Sequence, residues 1–71
     1  MNTYRLYKNK RVGTLFVLAV NNESTIASDI KSIFGYKLTE GLPNEYWFEL
    51  VLMEEHKTKD DFKYAHPEWF L

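Results

Sequence analysis

A chain of 71 residues with net charge −1, no cysteine and 17% aromatic side chains makes at most one domain, burying only about 60% of its unfolded surface. Without cysteine it has neither a disulfide framework nor a thiolate metal site to reinforce a small core, which points to an intracellular protein. The longest apolar run, LFVLAV at residues 15–20, is far short of the roughly 20 residues a membrane span needs.

No signal-peptide apolar region follows the basic N-terminus, so the expectation is a soluble, unprocessed protein located in the cytoplasm, with no membrane contact. Charge is unevenly spread. Residues 1–39 carry six Lys and Arg against two acids, +4, and residues 40–71 carry three against eight, −5. Such asymmetry steers partners or lets the two halves attract each other.

TYRLYK, residues 3–8, has the β-branched and aromatic character of a strand. Asn9 and Lys10 separate it from RVGTLFVLAV, residues 11–20, and Asn tolerates the positive φ of a tight hairpin turn. A two-residue turn sets Lys8 opposite Arg11, Leu6 opposite Gly13 and Tyr4 opposite Leu15. A longer loop is the alternative, because Lys suits the second turn position less well than Gly. In the tight register Tyr4, Leu6, Leu15, Val17 and Ala19 share one face, and Arg5, Tyr7, Val12, Phe16, Leu18 and Val20 the other. Both faces of the second strand are apolar, so both need a cover.

In NNEST, residues 21–25, Ser24 and Asn22 are suited to cap a helix. Ile26, Ile30, Ile33 and Phe34 then recur at helical spacing, with Ser28, Asp29, Lys31 and Ser32 facing away, predicting a helix of about three turns. Gly35 suits a left-handed cap at its end. YKLT, residues 36–39, is either a short strand or the exit from that helix, and Pro43 interrupts any central strand within EGLPNE, residues 40–45. YWFELVLM, residues 46–53, reads as a further strand with Tyr46, Phe48, Leu50 and Leu52 on one face.

The predicted class is α+β: a small antiparallel sheet in ββαβ order with the helix on one face. Residues 1–56 form the core domain, and residues 57–71 an aromatic C-terminal tail, folded back or bound to a partner. The helix covers Leu6, Leu15, Val17, Phe48 and Leu50, leaving Phe16, Leu18 and Val20 with Trp47, Val51 and Met53 on the rear. Burying two such side chains is worth roughly 3 to 6 kcal/mol. The tail, a stacked second copy or a different macromolecule is expected to provide that cover.

Catalytic chemistry finds no footing. His56 and His66 stand ten residues apart and match no zinc spacing. Glu54-Glu55 and Asp60-Asp61 read as solvated charge, and Ser24, Ser28 and Ser32 as the wet side of a helix. No nucleophile elbow or P-loop is present. The expectation is a protein that is not an enzyme and has no cofactor or metal.

Two binding surfaces remain. Arg5, Tyr7, Lys8, Lys10 and Arg11 cluster on the first hairpin, where they can steer an acidic partner or contact nucleic acid. Phe16, Leu18, Trp47, Trp69 and Phe70 are candidate anchors for another protein. The predicted element order and small size broadly resemble accessory or inhibitory proteins carried by phages and other mobile elements, a likeness of style resting on no motif. It implies binding that occludes a partner's surface. Nucleic-acid binding and a structural homodimer are the alternatives.

Overall fold

The structure, a computed structural model, describes residues 3–70, excluding the Phe70 side chain. Five strands form one antiparallel sheet: β1 Tyr4–Asn9, β2 Phe16–Val20, β3 Glu23–Ala27, β4 Thr39–Glu40 and β5 Leu50–His56. They lie in the order β4-β3-β2-β1-β5. One helix, α1 Lys59–Ala65, follows the sheet, and short 3-10 turns occupy Ile33–Gly35, Asn44–Trp47 and Pro67–Phe70. The class is α+β, but the one α-helix among the described residues comes after the strands instead of between them.

The first hairpin turns through a six-residue loop, residues 10–15. Asn9 organises it: its Oδ1 accepts from the backbone N–H groups of Arg11 at 2.9 Å and Val12 at 2.8 Å. Its own N–H donates to Leu15 O. Tyr4 therefore pairs with Val20 and Leu6 with Leu18, a displacement of five positions from the tight-turn register. An odd displacement reverses which face each β2 side chain takes relative to β1. The reversal gathers Tyr4, Leu6, Phe16, Leu18 and Val20 on one side.

The helix expected at residues 26–34 is absent. Asn21-Asn22 instead makes a two-residue turn, with Asn21 at φ 57°, a conformation Asn accepts more readily than most residues. Residues 23–27 then return as β3 beside β2, a segment in which β-branched Thr25 and Ile26 favour the strand. Ile30, Ile33 and Phe34 still reach the core, from an irregular turn over the sheet.

The helix that does form begins at Thr58, whose Oγ1 accepts from the Asp61 N–H at 3.1 Å. Asp60 and Asp61 occupy its first turn and Lys63 its last, the arrangement that complements the helix dipole. It sets Phe62 into the core with no exposed surface. Phe62, and Trp69 after the helix, thus bring this part of the chain back onto the sheet.

Leu6, Leu18, Val20, Ala27, Ile33 and Phe62 form the core, with Tyr4, Phe16, Ile30, Phe34, Leu38 and Trp69 packed against it. The opposite face is also closed at its centre, since Val17, Ala19 and Ser24 are buried. Because β4 and β5 lie on opposite edges, residues 41–49 must cross the sheet. Trp47 packs edge-on against Tyr7, ring centres 5.6 Å apart, which places this crossing on the Tyr7 and Val17 side. The centre of the rear face therefore has its cover within the chain.

Candidate functional site

The crossing leaves β5 at the outside of the sheet. β5 pairs with β1 on its inner side, and no described strand lies on its outer side. The other edge, β4, is only two residues long, a common way to blunt an edge. Seven-residue β5 has no such protection by length, and it contains neither Pro nor Lys.

A bulge opposite Leu6 and Tyr7 interrupts the pairing of β5 and leaves Met53 as the extra residue. Val51, beside Lys8, lies on the core side, and Leu52, beside Tyr7, on the other. Val51, Leu52 and Met53 are each 41–47% exposed, and Phe48, just before the strand, is 71% exposed. Apolar surface thus flanks the open backbone on both faces.

Two shallow depressions meet at the start of this strand. One is lined by Lys8, Asn9, Lys10, Gly13, Val51 and Met53. The other is lined by Asn9, Arg11, Val12, Glu45, Phe48 and Glu49. Asn9 joins them, donating from its Nδ2 to Phe48 O at 3.4 Å. Lys10 N–H donates to Glu49 O at 2.8 Å, fixing the loop to the entry of β5, where Glu49 takes φ 62°.

The candidate residues separate into three groups. Lys8, Lys10 and Arg11 come together around the two depressions. Arg5 and Tyr7 do not join them. The Arg5 Nε pairs with Glu55 Oε2 at 2.7 Å, and the hydrogen bond and charge of Glu55 raise its pKa. Tyr7 is held by Trp47.

Phe16 and Leu18 are corrections. Leu18 is 3% exposed, and Phe16 packs against the same core as Ile30, because the longer loop turned both toward the covered side. Trp69 also packs on that core and stacks on His66, ring centres 3.7 Å apart. Trp47 keeps a partly exposed ring, although its Nε1 donates to Leu42 O at 3.3 Å. The Phe70 side chain lies outside the described part of the chain.

Phe48, Leu52 and Val12 were not legible as a surface. The sequence places Phe48 and Leu52 on one apolar strand face, with Phe48 under the helix; in the structure Phe48 precedes β5 and Leu52 lies on this edge strand, and both are exposed. Among the described residues no three His, Cys, Asp or Glu side chains are grouped to hold a metal ion. No described helix is long and apolar enough to cross a membrane.

What β5 can do chemically is accept another extended chain. Backbone hydrogen bonds would supply affinity, and alternating side-chain contacts would supply selectivity. Comparison with protein-family models, with curated proteins and with solved structures finds no match to this chain.

Proposed function

We propose that this is a non-enzymatic protein-binding module that takes an extended segment of a partner along the outer side of β5. The observation that carries this reading is the contrast between the two edges: β4 is two residues long, whereas β5 offers seven with Val51, Leu52 and Met53 exposed. Lys8, Lys10 and Arg11 at one end of the strand favour a partner with acidic residues, mainly by guiding its approach. Occlusion of the partner's own strand or surface is the corresponding mode of inhibition. The cysteine-free sequence fits action in the cytoplasm. With Arg5 and Tyr7 engaged by Glu55 and Trp47, fewer groups are presented together for nucleic acid than for a protein segment.

The test compares affinity capture by the full-length chain, by a Val51→Lys/Met53→Lys variant and by Tyr64→Ala, altered at a 92% exposed position on α1. Circular dichroism first establishes that all three are folded. The expected result is a specific protein retained by the wild type and by Tyr64→Ala and lost by the edge variant. Equal retention by all three, or no specific capture, overturns the reading.

A further inference from the structure

We propose that His66 works a pH-operated latch: as the imidazolium it fastens the C-terminal turn, Pro67–Phe70, to the core, and on losing its proton it lets that turn and Trp69 swing away. The device is independent of the reading of β5 as a binding edge.

The geometry calls for two donors on one ring. His66 Nε2 lies 2.6 Å from Glu54 Oε1, and Nδ1 lies 3.5 Å from Glu68 Oε1. A neutral imidazole has a single N–H, so one nitrogen would turn a lone pair toward a carboxylate. Only the imidazolium presents a proton to both. Trp69 lies flat against the same ring, with centres 3.7 Å and planes 5° apart, a stack that a positive ring strengthens.

Deprotonation weakens these contacts unequally. The remaining proton stays on Nε2, at the shorter contact with Glu54 of β5. Glu68 then faces the Nδ1 lone pair, Trp69 loses its cation, and the two carboxylates flanking the ring repel each other without a positive charge to hold them. Glu68 and Trp69 both belong to the turn. Its remaining ties are the Trp69 N–H to His66 O bond at 3.1 Å and the stack of Trp69 on Phe34, ring centres 6.2 Å apart. α1 does not depend on the latch, because the His66 N–H closes its last turn on Phe62 O at 2.8 Å and Phe62 is fully buried. The opening is therefore local and uncovers the Phe34 ring, leaving the sheet and α1 in place.

The charged neighbours set the direction. Glu54 from β5 and Glu68 from the turn favour the imidazolium over the opposing effect of partial burial. Lys63, in the last turn of α1, is the cation of the adjoining helix, and His56, two residues beyond Glu54, rests on the Phe62 ring. The latch is closed below the ordinary histidine value of about 6.5 and opens as pH rises through the raised value of the folded protein.

Nuclear magnetic resonance on the full-length chain tests this without a substitution, between about pH 5 and 9. The His66 ring signals give the titration midpoint, and exchange of the Trp69 amide, corrected for the base dependence of intrinsic exchange, reports the opening. Trp69 should lose protection over the His66 midpoint while Leu6, Val17 and Phe62 keep theirs. In Trp47→Phe, which leaves Trp69 as the sole tryptophan, acrylamide quenching should rise through that midpoint. Glu68→Gln, altered at a half-exposed side chain, places an amide that suits either state of the ring and should flatten both responses. Trp69 protection and quenching that stay constant through the His66 titration overturn the proposal. Loss of protection at Trp69 and Leu6 in step, which is global unfolding, also overturns it, as does an unchanged pH response in Glu68→Gln.

Discussion

The Nε2 atom of His66 lies 2.6 Å from Oε1 of Glu54, tying the residue that follows α1 to the middle of β5. His66 Nδ1 lies 3.5 Å from Glu68 Oε1, and its ring stacks on Trp69. One imidazole therefore links the edge strand, the C-terminal turn and the aromatic cover of the core.

That contact predicts a pH dependence. Partial burial of His66 favours its neutral form, but the hydrogen bond and charge of Glu54, aided by Glu68, outweigh burial and raise its pKa. A pKa raised on folding stabilises the protein below the unfolded histidine value of about 6.5, and this contribution is lost as pH rises through the folded value. Urea unfolding of the wild type between about pH 6 and 8 should show this component of stability falling with pH. In Glu54→Gln the decline should be shallower. Equal pH slopes in the two proteins would show that the bridge contributes nothing.

Phe62 predicts the largest single loss. It is fully buried, and its ring meets Tyr4, Phe34 and His56 at 6.0, 5.2 and 4.3 Å between centres. Phe62→Ala should cost about 3 to 5 kcal/mol, comparable to the whole stability of a domain this size. Circular dichroism should find that variant largely unfolded, while Phe62→Leu should fold with a lower denaturation midpoint. A chain cut at Lys57 should unfold for the same reason, so truncation does not isolate a binding role for the C-terminal segment.

Asn9 predicts a local effect. Asn9→Ala deprives the Arg11 and Val12 N–H groups of their acceptor and should cost about 1 to 3 kcal/mol. Amide exchange at Arg11 and Val12 should accelerate, with Leu6 and Leu18 changing only through global stability. Unchanged exchange at the two loop amides would show that another group holds the loop.

Glu49 sits in the left-handed region at φ 62°, where a side chain other than glycine costs about 1 to 2 kcal/mol. Glu49→Gly removes that strain but adds freedom to the unfolded chain. A net gain of up to about 1 kcal/mol is expected from chemical denaturation, whereas Glu49→Val should destabilise. A loss on Glu49→Gly would mean that the Glu side chain contributes more than its backbone strain costs.

Much of the sheet was legible because β1, β2 and β5 are apolar and aromatic runs bounded by turn residues. The first register was not, because it depends on Asn9 spending its side chain on the following loop instead of on a tight turn. Ile26, Ile30, Ile33 and Phe34 satisfy a helical period, yet a strand end followed by an irregular turn can present the same residues to one core. The Asn21-Asn22 pair between two strand-like segments carried the competing hairpin signal.

The true helix hid for the opposite reason. It spans two turns and buries one residue, Phe62, so it has no period to detect. The Thr58 to Asp61 spacing was its available mark. Lys8, Lys10 and Arg11 were readable as a basic cluster from sequence proximity. The apolar edge beside them was not, because the outer position of β5 follows from residues 41–49 crossing the sheet, a long-range outcome without a local signature.

Amide hydrogen exchange across β5, measured on the full-length chain in dilute solution, tests the central claim most directly. If the outer side of the strand is open, alternate amides within Leu50–His56 should exchange rapidly while those of Val17 and Leu18 stay protected. Protection of every β5 amide, equal to that of Leu6, would show the edge already closed and contradict the account.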